Sequence, residues 1–165
     1  MTSADGLSER TLRLVPKDSA VDDARRFAEL AVSYCSPECQ EAVSLAVCEL
    51  GENVVKYGAR GADAHAGTIG VGIDGDTIRI RATNRVGAPD DARRVADLIS
   101  QISRKGADVR DLYRDRLKEL FTNPELPRTQ LGLLRMAFEG GFQLSCSVRG
   151  AELEITAERA CDARK

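Results

Sequence analysis

Val43-Ser-Leu-Ala-Val-Cys-Glu-Leu-Gly-Glu-Asn-Val-Val-Lys-Tyr-Gly58 is the stretch on which the fold turns. Val43, Val47, Leu50, Val54 and Tyr57 recur at three- and four-residue spacing, the mark of one apolar stripe on a helix. Pro37 suits the start of such a helix and Gly58 its end, which predicts a helix from about Glu38 to Tyr57. Beside the stripe, at i, i+4 and i+7, stand Glu49, Asn53 and Lys56. A carboxylate there can accept a proton, an amide oxygen can ligate a hard cation such as Mg²⁺, and an ammonium can meet phosphate. The same row also reads as an ordinary solvated helix edge, because a Glu near a Lys is commonplace on helices.

Outward from this helix, the pattern switches between periods of 3.6 and 2. Upstream, Leu12 and Leu14 alternate in Ser8 to Pro16, a short edge strand. Asp18 or Ser19 then offers an N-cap for a helix to about Tyr34, with Val21, Ala24, Phe27, Ala28, Ala31 and Val32 as its apolar face. Downstream, Thr68–Ile73 and Thr77–Ala82 alternate around Asp74-Gly75-Asp76, a hairpin signal. Asp90–Ile102 and Asp108–Phe121 are helical in spacing, and Asn123–Pro127 is a loop. Gln130–Glu139 is a short helix broken by Gly140-Gly141. Phe142–Val148 and Leu153–Ala157 close the chain as a hairpin around Gly150. The order β-α-α-β-β-α-α-α-β-β lacks alternating βαβ units. It predicts an α/β two-layer sandwich, a mixed and mostly antiparallel sheet with helices on one face.

Composition narrows the function. The chain has 165 residues, 42% hydrophobic and 30% charged, which fits one globular domain over residues 1–165. Lys and Arg total 24 against 26 Asp and Glu, a net charge of -2, so no nucleic-acid partner bound by bulk electrostatics is expected. No apolar run reaches the length of a membrane span, and the polar Met1–Arg10 lacks a signal-peptide core, so a cytoplasmic location is expected. Arg104, Lys105, Arg110, Arg114, Arg116 and Lys118 interleave with Asp108, Asp111, Asp115 and Glu119, a solvated helix face in preference to an anion site.

Two other signals carry less. Gly70-Val-Gly-Ile-Asp-Gly75 matches GxGxxG, but its glycines lie inside one strand and lead into another, where no helix N-terminus can receive a pyrophosphate. The five cysteines, Cys35, Cys39, Cys48, Cys146 and Cys161, show no CxxC spacing and read as reduced thiols. A Cys35–Cys39 disulfide is the lesser alternative. The single histidine, His65, sits in a Gly/Ala-rich loop and can supply neither a multi-imidazole zinc site nor a hydrolase triad.

Cys48-Glu-Leu-Gly-Glu-Asn-Val-Val-Lys-Tyr-Gly58 resembles the N-box of the GHKL (Bergerat-fold) ATP-binding superfamily, in the branch of anti-sigma-factor serine kinases. The resemblance implies a histidine-kinase-like ATPase fold, ATP and Mg²⁺ as cofactors, Asn53 as the metal ligand and Glu49 as general base. Thr129-Gln-Leu-Gly-Leu-Leu134 is similar to the G2 box, which carries Thr129 and Gly132 over as phosphate-binding residues. Phe138-Glu-Gly-Gly-Phe142 and the chain length are similar to SiaB-like protein kinases. The G1 box, DxGxG in the family, corresponds to Thr83-Asn-Arg-Val-Gly-Ala88. Asn84 replaces the adenine-reading Asp, Gly87 remains and one glycine is missing. The G2 box has Arg128-Thr129-Gln130 in place of its leading glycines, and a helical lid-like segment at about 89–123 replaces a short flexible lid.

The implied function is a Mg-ATP-dependent serine/threonine kinase acting on a small STAS-type anti-anti-sigma-like partner. Lys56 or an arginine of the middle helices would steady phosphate charge, and the apolar residues of those helices offer a homodimer contact. Two alternatives stay open: a degenerate GHKL-derived binding module without catalysis, and an ATP-dependent switch without phosphoryl transfer.

Overall fold

The computed structural model describes residues 9–15, 17–57, 67–87, 89–104, 108–126 and 129–161, the side chains of Tyr57, Thr129 and Gln130 excepted. The elements follow the expected order: β1 (Arg10–Leu14), α1 (Ala20–Ala31), α2 (Pro37–Tyr57), β2 (Gly67–Asp74), β3 (Thr77–Arg85), α3 (Pro89–Ser103), α4 (Val109–Thr122), α5 (Thr129–Phe138), β4 (Gln143–Arg149) and β5 (Glu152–Ala160). Gly58, His65 and the rest of residues 58–66, where a Gly/Ala-rich loop is expected, lie outside the described residues.

The strands form one sheet in the order β1-β2-β3-β5-β4, and all four pairings are antiparallel. The sheet is therefore uniformly antiparallel, where the sequence reading predicts a mixed and mostly antiparallel one. The connections explain it. Packed against each other, α1 and α2 bring the chain back to the end it left, so β2 runs against β1. Three helices separate β3 from β4, which makes those two strands run the same way, but β5 lies between them. The hairpins turn in two residues at Gly75-Asp76 and Gly150-Ala151, with Gly75 and Gly150 at φ 58° and 60°. That left-handed first turn position is open to glycine at no steric cost. Gly70 and Gly72 lie inside β2, as the rejection of a dinucleotide loop requires.

Alternation in β3 buries Ile78, Ile80, Ala82 and Asn84 on one face, and Ile69, Val71, Leu153, Ile155 and Ala157 extend that face across β2 and β5. The α2 stripe (Val43, Val47, Leu50, Val54) packs onto it together with Ala24 and Ala28 of α1. Each large aliphatic side chain so buried contributes on the order of 1.5–3 kcal/mol. α2 opens with Pro37 as its first residue, and Ser36 Oγ accepts a hydrogen bond from the Cys39 N–H at 3.3 Å. α1 stops at Ala31, short of the expected Tyr34, where a turn from Val32 to Cys35 takes over. Val32 and Cys35 stay buried through that turn, so the apolar periodicity outruns the helix. All five cysteines are free thiols; burial pushes Cys35 up to about 12 and Cys39 up to about 11, so both are protonated at neutral pH.

The middle helices pack onto this body. α3 buries Ala92, Ile99 and Ile102 against β4, where Ser103 Oγ donates to the Leu144 carbonyl at 2.8 Å. α4, capped by the Asp108 side chain, has no fully buried residue and lies against α5 through Val109, Leu112 and Tyr113. Its charges pair as the alternation predicts, Arg116 with Glu119 at 2.7 Å and Arg114 with Asp111 at 3.8 Å. No helix among the described residues is long and apolar enough to cross a membrane.

Candidate functional site

Glu49 leaves the side of α2 and reaches the first turn of α5. There it meets Gly132 so closely that a Cβ on Gly132 would overlap Glu49 Oε2 and lie 3.1 Å from Cδ. Glycine at this position is what lets the carboxylate approach the helix backbone. Three residues on, and so on the same side of α5, Arg135 Nη1 donates to Glu49 Oε1 at 2.7 Å. The Glu49 side chain is only 17% exposed. Burial pushes its carboxyl above the ordinary value, and Arg135 pulls in the opposite direction without cancelling the rise. Arg135 also pairs with Glu139 at 3.4 Å, and Glu139 accepts from the Tyr113 hydroxyl at 3.1 Å. A polar chain thus runs from α4 through α5 to the candidate base on α2.

The other end of the row lies under the C-terminal half of α2. Asn84, near the end of the central strand β3, is 8% exposed and is the buried polar side chain among the described residues. It faces the helices, and Gly67, its partner in β2, is the point where it meets α2: a Cβ there would lie 2.8 Å from Val54 Cγ1 and 3.0 Å from Asn84 Cβ. Asn53, the neighbour of Val54 in sequence, is half-buried one turn beyond Glu49. Glu49 and Asn53 therefore lie one turn apart on α2, with Gly132 of α5 at the Glu49 end and Asn84 of β3 near Val54.

The remaining expected residues are placed less tightly. Lys56 is exposed in the last turn of α2. Gly87 is exposed just beyond β3, with open space where a Cβ would stand. Thr129 opens α5, one residue before the predicted helix start; its side chain lies outside the description. A cavity of about 420 Å³ lies between α3, α4, α5 and β4, lined by Ile102, Val109, Ala137, Phe142 and Leu144 together with Ser103 and Gln143, and by none of the expected site residues. Arg135, Glu139 and Tyr113 are site neighbours that the sequence reading does not single out. The available signal was helical spacing, since Arg135 stands at i+3 from Gly132 and Glu139 at i+4 from Arg135.

No family model matches this chain, and no curated protein matches it. Its fold is similar to that of the crystal structure of the RsbU and RsbW domains of Rv1364c from Mycobacterium tuberculosis, with a TM-score of 0.54 and 11% identity. The match covers 95% of this chain and 33% of that one, so the chain spans about a third of that protein's length. At this identity the likeness is one of fold. It agrees with the α/β sandwich expected from the element order.

Proposed function

We propose that this chain is a GHKL-type regulatory switch that binds Mg-ATP and phosphorylates a serine or threonine of a small STAS-type partner. The carrying observation is the convergence on α2. Glu49 meets the glycine of the α5 first turn at one end, and Asn84, a largely buried polar residue of β3, lies near Val54 of the same helix at the other. The fold likeness to a structure containing an RsbW domain supports partner switching as the mode of action.

The residues present fit the cofactor differently at its two ends. The Asn84 amide offers an oxygen acceptor suited to the amino group of adenine, on a largely buried residue, with Gly87 beyond the strand leaving open space. Asn53 would ligate Mg²⁺, and Thr129, Gly132 and Lys56 would hold phosphate. Gly132 is a cradle that a Cβ would fill, and Glu49 lies in it. Phosphate binding there requires the Glu49 carboxylate to swing off Gly132 and Arg135. ATP supplies the transferable phosphoryl group, and Mg²⁺ neutralises its charge. Once freed, Glu49 would orient the attacking hydroxyl and accept its proton. Arg135 would then offer its guanidinium to phosphate oxygens.

The test is phosphoryl transfer from labelled ATP to a cognate STAS partner, comparing wild type with Glu49→Gln. Loss of transfer with retained ATP binding supports the assignment; equal transfer by both removes Glu49 from the mechanism. The binding-module reading is favoured by one observation, the Glu49–Arg135 pair already closed over Gly132. Nucleotide binding separates the two.

A further inference from the structure

Three of the five cysteines converge on one buried point. Cys35 lies in the turn after α1, Cys39 in the first turn of α2, and Cys161 directly after β5. All three are buried, and their sulphurs lie within 4.8 Å of one another, Cys35 and Cys161 at 2.9 Å. A single buried thiol needs no explanation, because cysteine packs as a small apolar residue. Packing alone does not call for three sulphurs facing one another, one of them contributed from 126 residues along the chain.

We propose that Cys35, Cys39 and Cys161 form a thiolate site for a thiophilic d¹⁰ cation, Zn²⁺ or Cu⁺. A metal–sulphur bond of about 2.3 Å sets the sulphurs of a tetrahedral or trigonal site roughly 3.7–4.0 Å apart. The Cys35–Cys161 separation is shorter than that spacing and all three sulphurs lie within 4.8 Å of one another, so a cation at the centre requires sulphur shifts of about 1 Å. A ligand set of three thiolates selects soft or borderline ions over Mg²⁺ and Ca²⁺. Zn²⁺ would keep one position for a further donor, whereas trigonal Cu⁺ is complete with three. On binding, each thiol S–H bond breaks and its proton leaves to solvent, so the complex carries a net negative charge and affinity rises with pH. Arg159 stands ready to offset that charge. Its guanidinium is 18% exposed, held by the Gly140 carbonyl at 2.8 Å, and acts electrostatically on Cys39. The ion would tie the α1–α2 corner to the end of the sheet, closing a long loop of chain.

The test uses the full chain, purified under reductant without chelators. Elemental analysis gives the bound metal, Co²⁺ titration reads thiolate-to-metal charge transfer, and Cu⁺ is titrated against bicinchoninate to distinguish the two ions. One equivalent of Zn²⁺ or Cu⁺ is expected, with a Tm rise of about 5 °C or more at saturation. Cys35→Ser and Cys161→Ser should each weaken binding at least ten-fold, while Cys48→Ser and Cys146→Ser leave it unchanged. Release of the metal from wild type by a mercurial reads the same site where a Ser variant fails to fold. Absence of bound metal and of charge transfer overturns the proposal. So does binding insensitive to Cys35 and Cys161, or a Cys35–Cys161 disulfide found by mass in a chain that takes up no metal when reduced.

Discussion

Replacing Arg135 by methionine isolates the interaction on which the candidate site rests. In the folded chain Arg135 donates to Glu49 at 2.7 Å, and Glu49 is 17% exposed beside the backbone of Gly132. A charge-assisted hydrogen bond of this kind is worth about 1.5–3 kcal/mol. Arg135 is itself 37% exposed, so solvent screening reduces the figure, and Arg135→Met should destabilise the chain by about 1–2 kcal/mol at pH 7.5. For a chain of this size that is a Tm decrease of roughly 2–8 °C. The loss must also depend on pH. Glu49 binds its proton more tightly folded than unfolded, so its contribution to stability is fully present below its ordinary value of 4.5 and is lost as pH rises through the folded value. Arg135 holds that rise down. Removing it widens the window, and the Glu49 share of the Arg135→Met penalty should shrink as the pH falls through the folded values and be gone near 4.5. Urea unfolding of both proteins at neutral and acid pH reads the difference. A penalty of equal size at both pH values refutes the reasoning, since it would show that Arg135 acts through packing and not through the Glu49 charge.

Gly132→Ala should leave stability within about 1 kcal/mol of wild type, because the helix propensity of alanine offsets the displaced carboxylate. In that background the Glu49–Arg135 coupling in a double-mutant cycle should fall to near zero, and a retained coupling would mean that the contact is not as close as described. Asn84→Leu should weaken Mg-ATP binding at least ten-fold while leaving unfolding free energy within about 1 kcal/mol of wild type; unchanged nucleotide binding would remove Asn84 from the site. Ser36→Ala removes the acceptor for the Cys39 N–H and should lower unfolding free energy by about 1 kcal/mol.

The order of elements was legible because each carries a local signature: the α2 stripe, the strict alternation of β2 and β3, and the glycines that turn the two hairpins. The rejection of GxGxxG rested on the same local evidence, and β2 contains Gly70 and Gly72 as expected. Helix ends were less legible where burial continued past the helix, as at Val32 and Cys35. Pairings between distant residues left no local trace. Nothing near Glu49 announces Arg135, 86 residues later, and nothing near Cys35 announces Cys161. Asn84 was legible only through the family resemblance; its burial depends on which face of β3 meets α2, a property of the assembled sheet.

The central claim, that α2 is one wall of a nucleotide site, is tested most directly by isothermal titration of the chain with Mg-ATP, beside Asn53→Ala. The account predicts one-to-one binding that requires Mg²⁺ and is weakened at least ten-fold by Asn53→Ala. Absence of binding by wild type at millimolar Mg-ATP would contradict it and leave the fold as a partner-binding module.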